Sequence, residues 1–196
     1  MKIQPKSIKV KDIFDGYADN GDNGVFAYDG RLAIRPAYQR EFVYSSEQAE
    51  SVIHTILKGF PLNVMYWVKV GDDQYEVLDG QQRTLSVMQY LDHKYSISFD
   101  GGKYYCDSLP DDKYDDIMNY EFMVYVCEGS ESEKLDWFKV VNIAGEKLTD
   151  QELRNSVYTG KWLTDAKRYF SKRNCAAKGL SDKYIKADPN LSLIHI

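Results

Sequence analysis

The chain has 196 residues, 43% hydrophobic and 14% aromatic, with 16 tyrosines; this composition excludes disorder and suits one domain of ordinary size with a sizeable core. A formal net charge of −5 excludes a uniformly basic nucleic-acid binder. Acids gather over residues 107–136 and basic residues over 161–186, so a local basic face stays open.

Residues 1–12 place no apolar run behind their charges, unlike a secretory leader, and no stretch of the chain approaches a membrane span. Cys106, Cys127 and Cys175 show no CxxC spacing and read as free thiols of a reducing compartment, so the expected location is the cytoplasm. A short helix is expected over residues 10–17, followed by a turn cluster over 19–24. Residues 25–28 and 32–34 read as a hairpin around Asp29-Gly30, a pair that suits a tight turn. Residues 45–58 form a helix: Ser45 and Gln48 make a capping box, Ala49, Val52, Ile53, Ile56 and Leu57 make one apolar stripe, and Gly59 ends it.

Strands are expected over residues 64–70 and 75–78, with a helix over 81–91 after Asp79-Gly80. Strands over 95–99 and 103–106 flank another Asp-Gly-Gly turn, residues 111–119 make a short acidic helix, and 122–126 make an apolar strand. Ser130 and Glu133 form a capping box ahead of a helix over 135–142, and Thr149 and Glu152 form another ahead of 153–158. A third late helix, over 162–171, carries a basic face. Residues 191–196 fit nothing before them and read as a non-native tail, which makes the chain the N-terminal part of a longer protein.

The strongest constellation is Asp79-Gly80-Gln81-Gln82-Arg83. A strand delivers the chain to a glycine turn and a helix begins at once. The free N–H groups and positive dipole end of such a helix favour an anion. Gly80 lets the backbone approach a ligand, Arg83 offers a planar fork to phosphate oxygens, and Gln81 and Gln82 can donate to phosphate or a base edge. Asp79 suits a water-bridged magnesium ion or an attacking water. The alternative is purely local: Asp79 as an N-cap, with Gln82 closing a capping box.

A second cluster runs from Arg35 through Tyr38, Gln39 and Arg40 to Tyr44; it either lines a pocket with cations and an aromatic face or is a loop whose arginines pair with surface acids. In a third, Phe138, Val141, Leu148 and Leu153 are core candidates, while Asn142, Arg154 and Asn155 either support a ligand or hold the architecture. His54, His93 and His195 have no metal-ligand spacing.

Four ordered stretches together resemble one family. They are Arg35-Pro-x-Tyr-Gln-Arg40, Gly59-Phe-Pro-Leu62, Leu78-Asp-Gly-Gln-Gln-Arg83, and Phe138-x-x-x-Asn142-x-x-Gly145-x-x-Leu148-x-x-x-Glu152-Leu153. The pattern is similar to the N-terminal domain of GmrSD-type restriction endonucleases and covers about residues 8–170. The resemblance implies an α+β fold like that of ParB and sulfiredoxin: a small mixed sheet surrounded by helices, with a helical C-terminal part, over residues 1–190. It implies a nucleoside triphosphate and Mg2+ as cofactors, with Asp79 and Arg83 catalytic. Gly80, Gln81, Gln82 and Arg83 would bind the nucleotide, with Tyr38, Gln39 and Arg40 beside them and Arg35 as a further cation. It also implies DNA as a partner of the complete protein, no membrane, and a C-terminal HNH nuclease domain outside this chain. Three functions follow as alternatives: an NTP-hydrolysing module that gates modification-dependent restriction, a module that senses nucleotide or DNA phosphate without turnover, and a ParB-like DNase. On this reading Arg83→Ala weakens nucleotide binding by about 1.5–3 kcal/mol and leaves the fold intact.

Overall fold

Runs of apolar residues at strand spacing build the centre of the molecule, and helices with one apolar stripe cover it. A computed structural model describes residues 1–35, 44–130, 132, 133, 136 and 137, all within the unit Met1–Val141. Tyr38, Gln39, Arg40, Asn142, Arg154 and Asn155 lie outside the described residues. So do the core candidates Phe138, Val141, Leu148 and Leu153, the two last expected helices and residues 191–196.

The strands are β1 (Lys2–Lys9), β2 (Ala18–Asp19), β3 (Val25–Ala27), β4 (Leu32–Arg35), β5 (Met65–Gly71), β6 (Gln74–Asp79), β7 (Ile97–Phe99), β8 (Gly102–Tyr104) and β9 (Glu121–Glu128). The helices are α1 (Val10–Phe14), α2 (Ser46–Leu57), α3 (Gln81–Leu91) and α4 (Asp111–Asn119). Seven strands form one sheet in the order β1–β9–β5–β6–β4–β3–β2, and β7 and β8 make a separate hairpin. The sheet is mixed: β9 runs parallel to β5 and β4 parallel to β6, and the other neighbours are antiparallel. The expected α+β class, with a mixed sheet and helices packed on it, is therefore observed.

The four helices pack on one another and on one face of the sheet. Ile13, Ile53, Ile56, Leu85, Met88 and Ile117 from the helices share a single core with Leu32, Ile34, Met65, Trp67, Val77, Phe122 and Val124 from the strands. Trp67 is fully buried, with Tyr28 and Tyr75 each 6.0 Å from its ring. On the opposite face Tyr66 meets Tyr125 at 5.6 Å and the edge of Trp137 at 5.9 Å.

The capping box of α2 is present, with Ser45 Oγ accepting from the Gln48 N–H at 3.2 Å and Gln48 Oε1 accepting from the Ser45 N–H at 2.9 Å. Ser45→Ala is expected to cost about 1 kcal/mol, read as a lower urea midpoint at unchanged slope. The box at Ser130 also forms, and its Glu133 additionally accepts from the N-terminal ammonium at 2.6 Å.

Strand β1 was not expected, because its lysines and Pro5 break the alternation that marks a strand. Its place explains the composition. It is an edge strand, antiparallel to β9, where a proline and charged side chains are tolerated and discourage pairing with another chain.

Candidate functional site

Strand β6 is the middle strand of the sheet and ends at Asp79, and α3 starts two residues later at Gln81. The residue between them, Gly80, is buried in a left-handed conformation with φ 94° and ψ 7°. A Cβ on Gly80 would stand 2.7 Å from Met65 Cγ, so Met65, and not a ligand, occupies the space that the glycine leaves free. Gly80 is also the N-cap of α3, and no side chain caps it. Asp79 is therefore not the cap, and Gln82 closes no capping box.

Instead, Asp79 and Arg83 hold each other. Arg83 Nη2 donates to Asp79 Oδ2 at 2.8 Å, with the arginine side chain 16% exposed and the aspartate 38%. The same guanidinium donates to the Asn63 carbonyl through Nη1, and to the Val64 carbonyl at 3.3 Å through both Nη1 and Nη2. It thus ties the β6–α3 bend to the backbone that leads into β5. Asp79 Oδ1 has no hydrogen-bond donor among the described residues.

Gln82 is buried, and its Oε1 accepts from the Tyr44 N–H at 3.3 Å. This contact brings Tyr44 to the bend. Gln81 Nε2 is buried with no hydrogen-bond partner among the described residues. Behind it, α3 is buried on nearly every side, and the hydroxyls of Thr84 and Ser86 donate back to the carbonyls of Gly80 and Gln82, each at 2.9 Å. That back-bonding lets small polar residues sit in a buried helix.

The structure therefore groups Asp79, Gly80, Gln81, Gln82 and Arg83, but Arg35 is engaged elsewhere. Its Nη2 donates to the Gly21 carbonyl at 2.6 Å and lies 3.9 Å from Asp19 Oδ1, with 11% of the side chain exposed. Burial, reinforced by Asp19, raises the pKa of the neighbouring Tyr17 hydroxyl. Sequence reasoning missed Asn63, Val64 and Met65, because two of them act through backbone carbonyls and the third only by filling space.

Among the described residues no group of three or more His, Cys, Asp or Glu side chains is placed to hold a metal ion. Magnesium is commonly held by one or two carboxylates together with substrate phosphates and water, and the free oxygen of Asp79 fits that lesser share. Burial, with a smaller contribution from Asp107, pushes the Cys106 thiol up to about 11, which keeps it a protonated, unreactive core residue at neutral pH. No helix among the described residues is long and apolar enough to cross a membrane.

A mixed seven-stranded sheet with helices packed on it defines an α+β domain. The family model described as GmrSD restriction endonuclease, N-terminal domain, matches residues 10–159, and the chain belongs to that family. No curated protein and no solved structure matches it.

Proposed function

We propose that the chain binds a nucleoside triphosphate at the β6–α3 bend and hydrolyses it to license DNA restriction by a nuclease domain elsewhere in the complete protein. The observation that carries this reading is the Gln81 side-chain amide, buried and unpartnered at the start of a helix that no side chain caps. A buried donor without an acceptor costs about 1–3 kcal/mol. A phosphate oxygen would satisfy it, together with the first-turn N–H groups and the positive end of the helix dipole. Family membership adds the restriction context.

In this arrangement Arg83 positions the site by fixing Asp79 and the approach to β5. Asp79 Oδ1 is left to orient an attacking water or a hydrated Mg2+. When bound with the nucleotide, Mg2+ neutralises charge on the phosphates. Tyr38, Gln39 and Arg40 are proposed as the remaining contacts, because Tyr44, the described residue that follows them, meets Gln82 at the bend. Asn142, Arg154 and Asn155 are proposed only as support.

A sensing module without turnover is the second reading. It is favoured by Asp79 being neutralised by Arg83, and by the lack of a metal-holding acid cluster among the described residues.

Gln81→Leu separates a ligand contact from a structural one. It removes an unsatisfied amide, so thermal stability should hold or rise slightly. Affinity for a non-hydrolysable triphosphate should fall about 5–10-fold, the equivalent of one hydrogen bond. Unchanged affinity in calorimetry would remove Gln81 from the site. Phosphate release by the full-length protein then decides between turnover and sensing.

A further inference from the structure

The helix layer does not cover the whole of the sheet face on which it sits. At the end formed by the start of β1, the end of β9 and the β5–β6 turn, the sheet carries a concave polar groove lined by Lys2, Gln4, Lys6, Lys69, Tyr75 and Glu128. Three lysines thus face one glutamate in a chain whose net charge is −5. Lys69 pairs with that glutamate at 3.4 Å. Lys6 reaches the Tyr75 hydroxyl at 3.5 Å and the face of its ring, 5.4 Å from the centroid. Lys2 has no hydrogen-bond or ion-pair partner among the described residues. Asp73, whose carboxyl is held below its usual range chiefly by Arg31 and least by Lys6, is bound by Arg31 at 3.0 Å and by the Tyr75 hydroxyl at 3.1 Å. Arg31, in turn, stacks 3.9 Å from the Tyr28 ring.

We propose that this groove binds the phosphate backbone of DNA, with Lys2, Lys6 and Lys69 each neutralising a different phosphate. The spacing supports separate contacts. Lys2 and Lys6 are four residues apart on one strand, about 13 Å, and β1 and β5 are two strand spacings apart, about 10 Å. One strand of duplex DNA carries a charge about every 3.4 Å along the axis, so ammonium groups this far apart meet different phosphates, not neighbouring ones, and do not converge on a single anion. Gln4 supplies an uncharged donor between them. The groove contains no device for reading bases, so the contact is independent of sequence and positions the substrate. The proposal rests on the restriction reading and is independent of the nucleotide site.

The test is anisotropy of a short labelled DNA duplex titrated with the full chain over a series of salt concentrations. Each phosphate neutralised contributes about 0.9 to the slope of log affinity against log salt. The K2A/K6A/K69A variant is expected to lose about 2–3 from that slope and to bind roughly tenfold or more weakly at fixed salt. All three side chains reach solvent, so its melting curve should match the parent's. A K11A/K58A/K103A variant, with equal charge loss elsewhere on the surface, should keep the parent slope. No salt-dependent binding by the parent chain, an unchanged slope in the first variant, or an equal loss in the second each overturns the proposal. The nucleotide reading fails separately: the lysine variant should bind triphosphate like the parent, and Gln81→Leu should leave the DNA salt slope unchanged.

Discussion

Gly80→Ala is expected to destabilise the protein by about 2–5 kcal/mol and to abolish ligand binding at the bend. Two costs combine. A side chain at φ 94° sits in a conformation that costs an L-residue about 1–2 kcal/mol. The new methyl would also meet Met65 Cγ at 2.7 Å and Cβ at 3.1 Å. Met65 is 1% exposed, and the atoms approached are the base of its side chain, so it cannot swing away without disturbing the core around Trp67. Overpacking of this kind costs about 1–3 kcal/mol. Denaturant unfolding measures the sum. A companion variant, Met65→Ala on the Gly80→Ala background, removes the 2.7 Å clash with Cγ and keeps the backbone strain. It should therefore cost less than the two single changes added together. Strict additivity of the two would mean that Gly80 is selected for its backbone angle alone and that the contact with Met65 carries no energy.

Much of this fold is legible in the sequence where one signal acts alone. Helix α3 falls on residues 81–91, after the Asp79-Gly80 break, and the short acidic helix α4 on 111–119. The box at Ser45 forms with both of its hydrogen bonds. Legibility fails where composition answers to position in the sheet. Lys2, Pro5 and Lys6 look like the start of a solvated loop, and only the pairing of β1 with β9 across more than a hundred residues makes them a strand. At the site, the sequence places five residues on a bend correctly but cannot say where their side chains go. Asp79 and Arg83 stand at i and i+4, a spacing that brings two residues onto one face of a helix. Read locally, it suggests two separate polar groups aimed at a ligand. The competing acceptors that redirect Arg83 are the carbonyls of Asn63 and Val64, which any residue would provide and no motif records. Arg35 is redirected in the same way, to the carbonyl of Gly21.

Arg83→Ala is therefore expected to lose about 2–4 kcal/mol of stability, in contrast to the intact fold expected from the sequence. The ion pair with Asp79 is a minor part, because the carboxylate is 38% exposed and water screens it to about 0.5–1 kcal/mol. The larger part comes from the half-buried Val64 carbonyl, which loses a charged donor, at about 1–3 kcal/mol for a group left unsatisfied; the Asn63 carbonyl is exposed, and water replaces the donor there. Loss of the packed aliphatic stem adds to this. Asp79→Ala should consequently cost less than Arg83→Ala, and a double-mutant cycle between them should return a coupling of no more than about 1 kcal/mol. Arg83→Lys keeps the charge but cannot span three acceptors with one ammonium, so its stability should fall between parent and alanine variant. Nucleotide affinity is then measured below the melting transition of each variant, where the folded fraction is complete. A positioning role predicts weakened binding that scales with the loss of stability and is partly restored by lysine. If Arg83→Ala instead melts like the parent and still loses affinity, the guanidinium belongs to the phosphates, and its grip on the Asn63–Val64 backbone is a resting state that the ligand displaces.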